Sequence, residues 1–385
     1  MASVKPRITR RNGREVKVWD VRYRTPEGGQ RRETMRTKGE ADRRAAEVEA
    51  DKNRGTYVDH RAGRLTLTEF AEERWLPSLV HVRPNTLDLY RGHLRNHVLP
   101  AHGARPLGSL RRQDCRTFVA ALAARLAPST VGTVYAVLRM VMQTAVDDGL
   151  IAANPCSRVP LPRVERRVVE PLPAASVVAL AEAMPARYAV TVWLAAGAGL
   201  REGEALGLTA PRVDFLRRRV HVEEQLQGVN GRAPALAPLK TRASRRVVPV
   251  DDVVLTAVTT HMQQWQPGPG GLLVTNRLGA PVRRSSFGYC WQQAVTACGL
   301  PDGTRFHDLR HFYASALIGA GLHPKAIQAR LGHATIAETM DTYGHLFPDA
   351  EDHGRGALDS LLGGSSRATS VPPGDLRAVN PQVSG

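Results

Sequence analysis

The segment NPCSRVPLPRVERRVVEPLP, residues 154–173, limits this chain more than any other. Its five prolines withhold backbone donors and fix φ near −65°, so neither a helix nor a central strand can run through it. It must be an extended, semi-rigid spacer, and it divides the 385-residue chain into a smaller N-terminal part and a larger C-terminal one. Four arginines share the segment, which suits a strap lying alongside a charged duplex.

Upstream of the spacer, from Trp19 onward, Trp19, Val21 and Tyr23 alternate with Asp20, Arg22 and Arg24. That period predicts a strand with one buried face. A Pro-Glu-Gly-Gly turn at 26–29 lets residues 31–37 return as a second strand, and helix formers then run from Gly39 to a stop at Gly55. Residues 1–60 thus read as a small sheet packed on one helix. Residues 1–38 carry 12 Lys/Arg against 4 Asp/Glu, in a chain of net charge +17. So local an excess points to a polyanionic partner, and Arg22 and Arg24 beside Arg31 and Arg32 could lie in a DNA groove. Residues 65–153 change to four helices: one capped by Thr68 and stopped by Pro77, one from Asn85 to His97, one over 112–126, and one from Ser129 to Gly149. The stripe Val134, Leu138, Val141, Met142, Ala145 in the last is a core.

Beyond the spacer, residues 174–350 begin helical. Gly197 and Gly199 end one helix and Arg201 starts the next, with Glu204 on its face. Strands are expected over 213–223, 244–250 and 272–275, with Lys240 in or beside a hairpin and Arg242, Arg245 and Arg246 nearby, Arg245 and Arg246 as further DNA contacts. A helix over 287–298 leads into residues 305–347. Residues 351–385 turn to Gly, Ser and Pro, a tail expected to be largely disordered, with leucines at 357–362 able to dock. The architecture is α+β and multidomain: a sheet-plus-helix module, an all-helical module, and a mainly helical domain with a small antiparallel sheet. The four cysteines lack metal or disulfide spacing. No apolar run follows the basic N-terminus, and the longest apolar stretch, residues 188–200, is too short to span a bilayer. A soluble cytoplasmic protein without membrane contact is expected.

Within 305–347, His307 and Arg310 lie three apart at a helix start, so both project from one face. His333 follows a Gly332 turn, and Tyr343 ends an amphipathic run. A phenol nucleophile among cationic donors suits an anionic electrophile, and a phosphodiester is the natural one. No cysteine cluster or paired carboxylate accompanies them, so no metal is expected. His311 and His345 read as structural neighbours.

GLREGEALGL, LKTRASRRVVPV, FHDLRHFYAS and LGHATIAETMDTYGHL, in that order, resemble the motifs of the tyrosine recombinase (phage integrase) family. Residues 65–150 are similar to its helical core-site-binding domain, and residues 10–55 to the arm-binding domain of integrases. The resemblance implies that Tyr343 attacks the scissile phosphate to form a 3′-phosphotyrosyl bond and that Arg201 and Arg310 clamp the phosphoryl oxygens. It further implies Lys240 as acid for the leaving 5′-oxygen, His307 assisting at the nucleophile, His333 donating to the phosphate, and Glu204 orienting the arginine helix. No cofactor is implied, since the covalent bond conserves the phosphodiester energy. The implied partners are DNA attachment sites, three further copies in a tetramer on DNA, and an excision or directionality factor, in a nucleoid-associated setting. A topoisomerase of the same chemistry, a chromosome- or plasmid-resolving recombinase and a non-catalytic DNA-binding regulator are the alternatives. The extra N-terminal module favours an integrase of a mobile element.

Overall fold

The computed structural model describes residues 2–11, 14–25, 28–53, 62–165, 168–228 and 233–347. The tail 351–385, its 357–362 segment and the helix stop expected at Gly55 lie outside these residues. The chain forms two compact units whose main boundary in sequence falls near residue 167, inside the proline-arginine segment.

The first unit opens with an antiparallel sheet ordered β1 (Ser3–Arg11), β2 (Arg14–Arg24), β3 (Gln30–Met35), followed by α1 (Lys38–Asn53). Val21 and Tyr23 of β2 bury against Ala41 and Val48 of α1, as the alternation requires. The opposite face carries Arg22, which pairs in register with Arg32, and Arg24. Arg31 is a correction: it pairs with Tyr23, and strand parity therefore sends it to the helix side, away from Arg22 and Arg24. Asp20 departs from expectation too. On the solvent face it is only 1 % exposed, because Arg7 Nε at 3.0 Å and the Thr34 hydroxyl at 2.8 Å both donate to its carboxylate. Burial pushes its pKa up, but Thr34 and Arg7 outweigh that and hold it below the usual carboxylate range. A buried anion thus organises the basic face.

Four helical runs follow: α2 (residues 67–78), α3 (84–102), α4 (Arg112–Ala123) and α5 (Pro128–Asp147). Thr66, not Thr68, caps α2, in a reciprocal box with Glu69. Pro77 and Pro100 sit in the last turns of their helices, which end at Ser78 and His102. Each follows a widened turn, Ala71–Trp75 and Leu94–Val98, in which the residue just before the proline donates to the carbonyl five back. The wider turn makes room for the ring that would otherwise clash with the carbonyl four back. Phe70, Trp75, Phe118 and the α5 stripe form the core.

In the second unit α6 (Ala174–Ala183) and α7 (Ala186–Ala198) lead to the short α8 (Glu202–Leu206). The strand expected over 213–223 is instead a hairpin, β4 (Val213–Asp214) and β5 (Arg219–Val222), because Asp214 Oδ1 accepts from Arg217 N at 2.8 Å and closes a turn. β6 (Glu224–Gln227) pairs with β7 (Ala235–Pro238), and β8 (Arg246–Pro249) pairs with β5. The strand expected over 272–275 is reduced to isolated bridges at Leu272 and Thr275. α9 (Asp252–Gln264), α10 (Arg284–Ala297), α11 (Asp308–Gly319), α12 (Pro324–Leu331) and α13 (Ile336–Tyr343) complete the unit. A single apolar core joins α7, α9, α10, α11 and the β5–β8 strands. Among the described residues no helix is long and apolar enough to cross a membrane.

Candidate active site

The site is assembled at the ends of α7, α11, α12 and α13. Gly199 closes α7 in the left-handed region, at φ 63°. A Cβ there would meet the Tyr313 ring at 2.5 Å, so only glycine makes this turn. The turn aims the Gly199 carbonyl at Arg310, whose Nη1 donates to it at 2.6 Å while Nη2 donates to Leu331 O. Arg310 is 1 % exposed, and its Nε has no partner among the described residues. Burial, then the neighbouring charges of Arg201 and Arg246, lower its pKa to about 9.

Arg201 is the N-cap of α8. Its backbone N–H and its Nη1 both donate to Glu204, each at 2.9 Å. Glu204 also receives Arg246, with Nη2 to Oε2 at 2.9 Å and Nη1 to Oε1 at 3.2 Å. Burial raises the Glu204 pKa, but Arg246 and then Arg201 overcome it and hold it at about 2. Three guanidiniums therefore crowd one buried carboxylate, leaving a local positive excess that a phosphate would neutralise.

Arg246 had been expected among the DNA contacts, and the structure corrects this. It shares strand parity with the buried Val248 and Val250. Its guanidinium is consumed by Glu204 and its Nε donates to Arg330 O at 2.7 Å. Arg245, the next residue out of phase, is exposed and pairs with Glu223 at 3.1 Å. Lys240 is exposed on the loop after β7, just before a turn in which Thr241 accepts from Ser244 N.

Gly332, left-handed at φ 67°, ends α12 and turns the chain so that His333 packs inward, 7 % exposed. Its Nδ1 meets the hydroxyl of the wholly buried Thr339 at 2.9 Å, which fixes the ring. The ring lies parallel to that of Tyr343, with centroids 6.4 Å apart. Burial, then Arg310 and Arg201, lower the His333 pKa to about 3. His307, at the start of α11, is exposed. Partial desolvation and then His311, Arg310 and Arg201 still depress its pKa to about 4. Both rings are therefore neutral at physiological pH in the free protein.

Tyr343 ends α13 and is 1 % exposed. Burial raises its pKa to about 12, against the pull of Arg310 and Arg201. Its hydroxyl meets His311 Nδ1 at 2.8 Å. His311 was expected to be a mere neighbour and His307 the partner of the phenol. Instead His307 packs edge-on against His311, their centroids 4.9 Å apart. The signal was present: four residues separate His307 and His311, so one helical face carries both.

Glu204 is the keystone, and its effect on stability has a definite sign. Its folded pKa lies below the ordinary value of 4.5, so the folded state binds this proton less readily than the unfolded chain. The resulting stabilisation, about 3 kcal/mol, is fully present above pH ~4.5 and lost as pH falls toward 2. Glu204→Gln, which leaves Arg246 buried without its anion, is expected to cost about 3–5 kcal/mol at pH 7. Denaturant midpoints measured against pH should show that gap closing below pH ~4.5 as the wild-type carboxylate protonates; a pH-independent gap would deny the pairing.

A buried phenol beside crowded arginines and neutral imidazoles, on a mainly helical domain, defines a class of protein: an enzyme for phosphodiester chemistry. The profile of the phage integrase family matches residues 168–349. The integrase of Mycobacterium phage L5 is 30% identical over 284 residues, spanning 72% of this chain and 75% of that protein. The Tn1549 transposon integrase, solved with a circular intermediate DNA, superposes with TM-score 0.66 at 21% identity, covering 77% of this chain and 99% of that one. A lambda integrase tetramer bound to a Holliday junction gives 0.56 at 17% identity, covering 86% and 96%. The chain belongs to the phage integrase family of tyrosine recombinases. It is a site-specific DNA recombinase, an enzyme that cuts and rejoins DNA.

Proposed function

We propose that this recombinase integrates and excises a mobile genetic element, with Tyr343 as the nucleophile. The phenol oxygen attacks the scissile phosphorus, and a 3′-phosphotyrosyl bond replaces the bond to the 5′-oxygen. Negative charge develops on the non-bridging oxygens, and Arg201 and Arg310 are the planar, multi-donor side chains suited to hold it. Arg310 would exchange carbonyl partners for phosphate, which also relieves the repulsion that lowers its pKa. His333 donates to a phosphoryl oxygen, and Thr339 holds its ring for that. Lys240, on its exposed loop, protonates the leaving 5′-oxygen. Rejoining to a different 5′-hydroxyl reverses the same steps.

The observation that carries this reading is the placement of Tyr343, buried in the field of both Arg201 and Arg310. The basic face of the N-terminal sheet, with Arg7, Arg22, Arg24 and Arg32, supports site selection at repeats away from the crossover. Residues 65–153 would grip the core site. The lambda tetramer on a Holliday junction supports a tetramer on DNA here, and a separate factor would set direction.

The polarity of the covalent bond tests the chemistry. A nicked attachment-site duplex, from which the short 5′-hydroxyl fragment diffuses away, should trap an SDS-resistant adduct. Peptide mapping should find Tyr343 joined to the 3′-phosphate. A 5′-phosphotyrosyl link, or an adduct at another residue, would refute the assignment.

A further inference from the structure

We propose that His311 is the base that takes the proton from Tyr343 as its oxygen attacks, a role that rests on Tyr343 being the nucleophile. With a pKa of about 12, roughly one phenol in thirty thousand is ionised at pH 7.5. The arginines stabilise charge but cannot remove a proton, so an acceptor must sit at the oxygen itself. Among the described residues, the hydrogen bond at Tyr343 Oη goes to His311 Nδ1, at 2.8 Å, within the reach a general base needs. The other two imidazoles are turned elsewhere: His333 Nδ1 is engaged by Thr339, and His307 meets His311 edge-on.

The groups facing His311 fit the role. Desolvation lowers its pKa and Arg310 lowers it further, while Asp308, three residues before it on α11, opposes them. The ring is thus neutral and able to accept, and Asp308 offsets the imidazolium that forms. In the step, the Oη–H bond breaks and its proton moves to Nδ1. The Oη–P bond forms with the freed pair, the P–O5′ bond breaks, and the leaving oxygen takes a proton from Lys240. On rejoining, the His311 imidazolium returns its proton to the departing phenolate.

His311→Asn leaves an acceptor near the Nδ1 position but no base. Using full-length protein and the nicked duplex, we expect adduct formation to slow by about 100-fold or more at pH 7.5, with DNA affinity unchanged. The deficit should shrink steadily up to pH 9.5, because hydroxide replaces the missing base. A 5′-bridging phosphorothiolate, whose sulfur leaves without an acid, should rescue Lys240→Ala and leave the His311→Asn deficit in place. A wild-type rate for His311→Asn, a deficit equal at every pH, or rescue by sulfur would each overturn the proposal. Adduct formation by Tyr343→Phe would instead overturn the nucleophile reading beneath it.

Discussion

Tyr343→Phe should abolish covalent capture of DNA, by at least about 10⁴-fold, the scale seen when the nucleophile of a covalent enzyme is removed. Binding to the site should persist, because the side chain is 1 % exposed and contributes an attacking atom rather than a surface. The ring is retained, so its stacking on His333 survives. What is lost is the hydroxyl at His311 Nδ1, leaving one part-buried ring nitrogen unpaired at a cost of about 1 kcal/mol. A modest fall in melting temperature with intact mobility shifts on attachment-site DNA is therefore the expected background. Gel analysis on the nicked duplex then decides. A persistent SDS-resistant band would mean that another residue attacks; loss of both band and mobility shift would mean that the substitution had disturbed the fold.

Much of the site could be read from the chain, and the reasons it could are local. Arg201 and Glu204, three apart in GLREGE, needed only one helical turn to meet. Gly199 and Gly332 announced their turns because no other residue takes those conformations easily. Tertiary choices were harder. The turn at Asp214 that breaks the 213–223 strand rests on one side-chain hydrogen bond, invisible to a period count. β1 escaped because it is a charged edge strand with Pro6 inside it, a position that edges tolerate and central strands do not. Arg246 was misjudged because a basic run suggests a solvated surface. Yet its parity with Val248 and Val250 sent it inward, where Glu204 required a partner. His311 was passed over for a related reason. A histidine beside HxxR gains meaning only when α13 brings Tyr343 across to it.

Arg310→Lys is expected to be nearly as damaging as loss of the nucleophile, and more so than conservative charge replacement suggests. Arg310 reaches Gly199 O and Leu331 O with two nitrogens at once, a fork that a single ammonium cannot reproduce. Losing planar donors to the phosphoryl oxygens should cost about 10²–10³-fold in cleavage. Charge adds a second loss. Burial, Arg201 and Arg246 bring the guanidinium from 12.5 down to about 9; the same surroundings would depress a lysine too, from an ordinary value that is already lower. The variant's ammonium would therefore give up its proton more readily than the guanidinium in the free protein, and as pH rises the phosphate would increasingly meet an amine in place of a cation. The sign follows: lowering pH from 8.5 to 6.5 should raise the variant's cleavage at subsaturating DNA, where wild type, with its guanidinium at about 9, is already mostly charged and gains little. Single-turnover rates across that window provide the measurement. A variant as weak at pH 6.5 as at 8.5 would show that geometry alone is at stake. Recovery toward low pH would show that the buried arginines repel one another until DNA supplies the anion they surround.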